Sequence, residues 1–436
     1  MKGQKLYQKA LKFIPGGTQL FSKRPEQFLP EQWPAYYSKA KGVVVTDLEG
    51  KKYIDMSIFG VGACILGYAD EDVNKAVKKA IDNGSMTTLN CPEEVELAEL
   101  LCKIHPWADM ARFCRGGGEA VSIAVRIARA ATGRDKIAFC GYHGWCDWYL
   151  AANLSDRKAL DGSLMPGLPP SGVPRGLRNT VFPFNYGNIE ELGNVVKKHG
   201  KDLGVIIMEP ARDIPDKSFL KKVRSIADKT GAVLIFDEIT TGFRMTPGGI
   251  HLLLGVNPDM AVLAKSMGNG YPIGAIIGKR QIMQAAQKTF ISSTNWTERI
   301  GPTAALATIR KYIGKKVDKH IIGIGNITIK GLEKAAKETG VKIHVSGIPT
   351  LVHFSFEYEN ALAVTTYFTQ EMLKKGFLAW IQFKPSYAHK KHHIEKYLKA
   401  AKEVFKKIKV AVDNGDVESK LKGPVALRGF HRFVRN

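Results

Sequence analysis

Val262-Leu263-Ala264-Lys265-Ser266-Met267-Gly268-Asn269-Gly270-Tyr271-Pro272 is a short apolar run that ends abruptly in a lysine and continues in small, turn-forming residues. It reads as a buried strand with an amine at its end. Desolvation at such a place lowers a lysine's pKa and makes the amine nucleophilic. Upstream, a second apolar run, Ala232-Val233-Leu234-Ile235-Phe236, ends in Asp237-Glu238. An amine and a carboxylate are therefore expected at neighbouring strand ends.

Taken singly, neither feature is specific. A lone lysine after a strand is most often a solvated surface residue, and a lone Asp-Glu pair is most often a helix cap or an ion-pair partner. Their order, their spacing of 28 residues and a glycine-rich segment farther upstream favour a site. That segment, Arg115-Gly116-Gly117-Gly118-Glu119-Ala120, follows a strand and opens a helix with arginines toward one face. Three glycines exceed what a tight strand–helix turn requires. They let backbone N–H groups approach an anion at the positive helix end. The segment is neither a Walker loop nor GxGxxG.

After the next strand comes Gly141-Tyr142-His143-Gly144-Trp145. Trp145, Trp148 and Tyr149 read as aromatic core plugs. Tyr142 and His143, flanked by glycines at a strand end, suit a pocket wall, where a planar ring can stack on a bound ring. No second ligand at useful spacing supports His143 as a metal ligand, and no metal is expected. An amine, an acid and a phosphate cradle together are what pyridoxal phosphate (PLP) needs: the lysine forms the Schiff base and the acid keeps the pyridinium nitrogen protonated.

Composition is compatible with this. The chain has 436 residues, 44% of them apolar, which suits one large domain plus a smaller one. No run reaches membrane-spanning length, and the start, Met1-Lys2-Gly3-Gln4-Lys5, leads into no apolar signal segment. A cytoplasmic location is the expectation. Six cysteines, none in a CxxC pair, read as free thiols rather than as a zinc site or a disulfide framework. The net charge of +23 admits nucleic acid, an acidic membrane surface or an anionic substrate. The lysines are scattered, however, and the densest cluster, Lys390-Lys391-His392-His393 with Lys396 and Lys399, looks like the polar face of a helix. A solvated surface is the favoured reading, with attraction of phosphorylated substrates second. Neither nucleic acid nor membrane is an expected partner.

Along the chain, residues 1–42 hold a short amphipathic helix and a loop. Val43–Thr46 and Lys52–Ile54 form a hairpin across Asp47-Leu48-Glu49-Gly50. Helices are expected over Asp72–Asn83 and Glu93–Ile104. Candidate strands follow at Ala111–Cys114, Ile137–Phe139, Val205–Met208, Ala232–Phe236, Ala261–Ala264 and Ala275–Ile277. Helical segments between many of them argue for an α/β fold with a mostly parallel sheet covered by helices. A long helical stretch is expected past residue 310, then a second α/β region from Val341.

These pieces together resemble the class III aminotransferases of PLP fold type I, nearest to the subgroup of glutamate-1-semialdehyde 2,1-aminomutase. The likeness runs from Ile14-Pro15-Gly16-Gly17 to Ala388-His389 and is strongest at Asp237-Glu238-Ile239-Thr240-Thr241-Gly242-Phe243-Arg244 and at Ala264-Lys265. It implies a large PLP-binding domain over residues 61–325 with a mostly parallel seven-stranded sheet. A smaller α/β domain would be assembled from residues 1–60 and 326–436. It implies that Lys265 is the Schiff-base lysine and 1,3-proton shuttle and that Asp237 is the pyridinium partner. Tyr142 would be the stacking aromatic, with Ile239 on the opposite ring face. Gly117 and Gly118 would form the phosphate turn, and Glu209 would be the strand-end glutamate. Thr294 would reach the phosphate of a partner subunit's cofactor, which makes a homodimer with shared active sites.

The chain departs from the family pattern in places. The phosphate turn lacks the two hydroxyls of Ser-Gly-Thr, leaving backbone N–H groups, Thr294 and Arg115 for the phosphate. The loop that carries the aminomutase's carboxylate arginine reads Thr18-Gln19-Leu20-Phe21-Ser22-Lys23-Arg24. The expected activity is transfer of an amino group from a small-molecule donor to a carbonyl acceptor, sugar-like or phosphorylated. Intramolecular transfer of the aminomutase kind is the alternative, and a non-catalytic or nucleic-acid-binding role is the rival of another class. Lys23, Arg24, Phe59, Trp145, Asn295, Trp296 and Glu298 are candidates for closing over substrate.

Overall fold

The computed structural model describes residues 1–162, 166–211 and 214–429. The chain divides into two compact units, one of Met1–Asp70 with Lys319–Asn436 and one of Glu71–Asp318.

The second unit is built on a seven-stranded sheet. Its strands in chain order are Met110–Cys114 (β1), Lys136–Cys140 (β2), Val181–Pro183 (β3), Leu203–Met208 (β4), Val233–Asp237 (β5), Met260–Leu263 (β6) and Gly274–Gly278 (β7). They lie side by side as β1-β7-β6-β5-β4-β2-β3. The strands β6, β5, β4, β2 and β3 run parallel, while β7 is antiparallel to both its neighbours.

The strands are apolar on both sides because helices cover both sides. Val205, Ile207, Val233 and Ile235 pack with Ile123, Ala124 and Ile127 of the helix Gly117–Thr132. The alternate residues Ile206, Met208, Leu234 and Phe236 pack with Phe219, Leu220 and Val223 of the helix Lys217–Thr230. This is the two-residue period of a strand applied to a doubly covered sheet. Each large side chain so buried contributes ~1.5–3 kcal/mol. The helix Lys217–Thr230 begins where the Asp216 carboxylate accepts the N–H groups of Ser218 and Phe219, and it stops at Gly231, which turns left-handed at φ 67°.

Parallel register aligns the strand ends that matter. Cys140 lies opposite Met208, Met208 opposite Phe236, and Asp237 opposite Val262. Residues just past these strands therefore share one edge of the sheet, the edge where parallel sheets bind ligands.

In the other unit, Tyr37–Lys41, Val44–Asp47, Lys52–Met56 and Phe377–Ala379 form a four-stranded sheet, and Ile343–Ser346, Val352–Phe356 and Gln382–Phe383 form a three-stranded one. Phe354, Phe368 and Phe405 centre its core. Ile394, Tyr397, Ala401, Val404 and Ile408 form the buried stripe of the helix Lys391–Asp413. Lys391, His392, Lys396 and Lys399 are exposed on that helix, as the polar-face reading requires.

The hairpin and the six expected strands are present with ends shifted by one or two residues. Before the second α/β region, whose strands were not expected one by one, two strands were not foreseen. Val181–Pro183 has three residues, lies at the sheet edge and ends in proline, which keeps the run too short for a sequence pattern. Tyr37-Ser38-Lys39-Ala40-Lys41 is mostly exposed and so shows no apolar alternation. Among the described residues no helix is long and apolar enough to cross a membrane, and none of the six cysteines is in a disulfide.

Candidate active site

Lys265 is the first residue of a tight turn, Lys265–Gly268, that follows β6. Its backbone is left-handed at φ 43°, a region that costs a non-glycine residue ~1–3 kcal/mol and concentrates at functional sites. The turn is held by the Met267 N–H donating to the Ala264 carbonyl at 3.1 Å, and by complete burial of Ser266 and Met267. The lysine side chain is half-buried, and its Nζ donates to Thr240 Oγ1 at 2.9 Å.

Thr240 belongs to the turn that follows β5, and the polar residues and the glycine of that turn's signature have structural tasks. Glu238 is fully buried and accepts from the N–H of His251 at 3.0 Å and from its Nδ1 at 2.7 Å. The Trp107 indole N–H donates to His251 Nε2 at 2.9 Å. An indole N–H can only donate, so His251 carries its proton on Nδ1. The Thr241 hydroxyl donates to the other Glu238 oxygen. Burial alone would raise the Glu238 carboxyl, but the bonds from His251 and Thr241 outweigh it and hold it below the usual carboxylate range. The Gly242 N–H closes on the Glu238 carbonyl at 2.7 Å, where a Cβ would strike both that carbonyl and Leu263. Arg244 is fully buried, donates through Nε to the Thr240 carbonyl at 2.7 Å, and is pushed down to about 10 by burial.

Asp237 is set within this frame. Its Oδ1 accepts the Ile239 N–H at 3.1 Å and its Oδ2 faces His143 Nδ1 at 2.8 Å. His143 and Asp237 are both buried. The second imidazole nitrogen lies 3.2 Å from the Cys140 carbonyl, so the ring cannot rotate without losing both contacts. Carboxylate oxygens have two acceptor positions each, so Asp237 retains capacity for a further donor. Glu209, also buried, follows β4 and accepts the Tyr142 N–H at 3.0 Å. Gly141, at φ 107°, makes room for it, because a Cβ there would collide with the Glu209 carboxylate. Tyr142 stands edge-on to Tyr149, ring centroids 6.0 Å apart.

At the start of the helix Gly117–Thr132, Glu119 Oε2 accepts the N–H groups of Arg115 at 3.1 Å and Gly116 at 2.9 Å. Among the described residues the N–H groups of Gly117 and Gly118 have no protein acceptor. A Cβ on Gly117 would come within 3.1 Å of Ile239 Cδ1, so Ile239 packs against this turn. Trp148 and Tyr149 are buried core residues, but Trp145 is 72% exposed and is not a core plug.

Other candidates have internal tasks. Arg115 pairs with Glu298 at 2.8 Å and donates to the carbonyls of Cys114, Trp296 and Glu298, so it is not available as a simple anion ligand. Glu298 also caps the next helix through the N–H groups of Ile300 and Gly301. Phe59 is buried and stacks on Tyr68 at 4.3 Å. The Arg24 guanidinium lies over Phe21 and against Gly16, where a Cβ would collide with it. Thr294 is exposed on the short turn Thr294–Thr297. The partner of the Lys265 amine, Thr240, and the His251 partner of Glu238 were not read from the sequence. The only signal for Thr240 was its place inside the Asp-Glu-x-x-Thr-Gly-Phe-Arg run.

The arrangement brings an amine, an imidazole-braced buried carboxylate and unpartnered N–H groups of a helix start to the loops after one set of strands. A family model described as aminotransferase class-III matches residues 29–405. The chain is 33% identical over 434 residues to a glutamate-1-semialdehyde 2,1-aminomutase of Thermodesulfovibrio yellowstonii, covering 93% of this chain and 99% of that protein. It is 31% identical over 390 residues to a 3-aminobutyryl-CoA aminotransferase of Cloacimonas acidaminovorans, covering 86% and 90%. Among solved structures, the FumI protein of Sphingopyxis sp. MTA144 in its PLP internal aldimine form superposes with a TM-score of 0.86 at 25% identity, covering 95% of this chain and 98% of that one. An omega-transaminase of Sphaerobacter thermophilus superposes with a TM-score of 0.83 at 25% identity, covering 93% and 97%.

Proposed function

The chain belongs to the class III aminotransferases, PLP-dependent enzymes of fold type I, and from that premise we propose that it moves an amino group from a small amino donor to a carbonyl acceptor through a cofactor held on Lys265. The single observation that carries this assignment of residues is the strained, left-handed Lys265 with its amine on Thr240, beside an Asp237 carboxylate buried and braced by His143.

The residues fit PLP. The Gly117 turn is a cradle that a Cβ would fill, and Asp237 keeps an acceptor position for a ring N–H. When bound, the cofactor supplies an electron-withdrawing ring that stabilises negative charge at the substrate carbon. Asp237 holds the proton on the ring nitrogen. With the cofactor bound, Lys265 would be the group that takes and returns the substrate's proton, its amine steadied by Thr240. Tyr142 and Ile239 confine the two ring faces, Glu209 and His143 complete the wall, and the N–H groups of Gly117 and Gly118 receive the phosphate. Thr294 of the partner subunit adds to that phosphate in a cytoplasmic homodimer with shared sites. In this reading Glu71–Asp318 is the cofactor-binding domain.

The acceptor we infer is a sugar-like or phosphorylated carbonyl. Its support is the net charge of +23 and the loop where Lys23 and Arg24 stand. The second reading, intramolecular transfer, is favoured by the likeness to aminomutases along 93% of the chain. The test is an acceptor screen with protein first loaded with amine. Turnover that requires a separate amino donor and a phosphorylated or polyhydroxylated carbonyl supports the first reading. Conversion of a single amino-aldehyde without added donor replaces it with the second, and reaction with simple semialdehydes alone removes the sugar-like acceptor.

A further inference from the structure

The Trp145 indole lies against the start of the Gly117–Thr132 helix. Gly118, the second residue of that helix, does not have a left-handed φ. Its lack of a side chain is therefore not required by the backbone. What requires it is space. A Cβ on Gly118 would lie 2.9 Å from Trp145 Nε1 and 3.3 Å from Cδ1, with Cys146 Sγ at 3.8 Å. Among the described residues no acceptor takes the Trp145 N–H. The ring is 72% exposed, whereas Trp148 and Tyr149 of the same segment are buried.

We propose that the Trp145 indole N–H is a cofactor-phosphate donor, occupying the volume that a hydroxyl side chain at position 118 would fill. The proposal rests on the reading of Gly117 and Gly118 as the phosphate turn. Arg115, two residues before the turn, is tied to Glu298, and Glu119 closes the N–H groups that precede the turn. The phosphate is then met by the helix start and by the indole N–H, whose Nε1 lies 2.9 Å from where a Gly118 Cβ would stand. The same position lets the exposed ring shield the phosphate from water, which strengthens each of these bonds.

The test uses the full-length apoprotein and reads binding rather than turnover. PLP and pyridoxal, which lacks the phosphate, are titrated by absorbance and by quenching of tryptophan fluorescence. Trp145→Phe keeps the ring and removes the N–H. It is expected to weaken PLP about tenfold to a hundredfold, the range for a hydrogen bond to a charged group, and to leave pyridoxal unchanged. In a Trp145→Ala background, Gly118→Thr is expected to restore PLP affinity, whereas Gly118→Thr alone reduces it. Unchanged PLP binding by Trp145→Phe, or equal weakening of PLP and pyridoxal, overturns the indole's role and leaves the phosphate turn standing. Wild-type protein that binds PLP no better than pyridoxal overturns the phosphate turn itself.

Discussion

His143 Nδ1 lies 2.8 Å from Asp237 Oδ2, with both side chains buried at the ends of adjoining loops. The imidazole comes from the segment after β2 and the acid from the end of β5, two strands apart in the sheet. The contact fixes which way the carboxylate faces, and therefore how it can meet a ring nitrogen.

His143→Leu is expected to leave Asp237 buried with one donor fewer. Orienting partners of this kind typically carry tenfold to a hundredfold, about the range known for residues behind metal ligands. The half-reaction with an amino donor, followed by stopped-flow absorbance, should slow by about that factor. His143→Asn, which keeps an N–H donor, should recover part of the loss. Equal rates for all three proteins would contradict the bracing role.

Thr240→Val removes the hydroxyl that accepts from the Lys265 amine and keeps the volume. A single hydrogen bond of this kind is worth ~0.5–1.5 kcal/mol, so the half-reaction should slow about threefold to tenfold with cofactor affinity little changed. Lys265→Ala should abolish the visible band of lysine-bound cofactor and slow proton transfer by ~10²–10⁴.

Glu238 is buried against His251 and Thr241. His251→Leu removes the side-chain donor and should cost ~3 kcal/mol of stability, since a buried charged group is left short of a partner. The effect has a pH signature. The folded Glu238 carboxyl is held low, so its stabilisation is complete above the unfolded value of about 4.3. It is lost as pH falls through the folded value. The gap in denaturation midpoint between wild type and Glu238→Gln should therefore narrow below about pH 4.

His105 and His389 give a window at higher pH with the same direction. Burial, partly offset by the bond to the Leu101 carbonyl, pushes His105 down to about 4, and burial pushes His389 down to about 3. Each accepts a backbone N–H on one nitrogen, from Gly249 at 3.0 Å and from Ser386 at 3.1 Å, so each is neutral in the fold. Unfolded, each titrates near 6.5. Below that pH the unfolded chain binds protons that the folded chain refuses. Stability should be full above about pH 6.5 and fall by up to ~1.4 kcal/mol per pH unit for each histidine. Chemical denaturation between about pH 5 and 7 measures the slope. His389→Gln should flatten it, and an unchanged slope would show that the buried histidine is not its source.

Much of this molecule was legible as one-dimensional pattern. Apolar runs marked the buried strands, because a sheet covered on both faces needs continuous hydrophobicity. The abrupt lysine after β6 and the Asp-Glu after β5 marked the edge that carries chemistry. Short or exposed strands escaped because they bury too little to leave a pattern. Trp145 carried two readings, core plug and candidate for closing over substrate; the first fails because a tryptophan near Trp148 and Tyr149 reads as core, and exposure is a property of packing.

The sequence by itself determined the α/β class, the strands that carry Lys265 and Asp237, and the glycine turn, since each depends on local composition and period. Tertiary structure alone decided that Thr240 receives the lysine amine, that His143 braces Asp237, that Arg115 is tied to Glu298 and that Trp145 fills the space beside Gly118. These pairs are 25, 94, 183 and 27 residues apart in the chain. No local preference encodes such contacts; the strand order and the parallel register create them by carrying distant loops to one edge of the sheet.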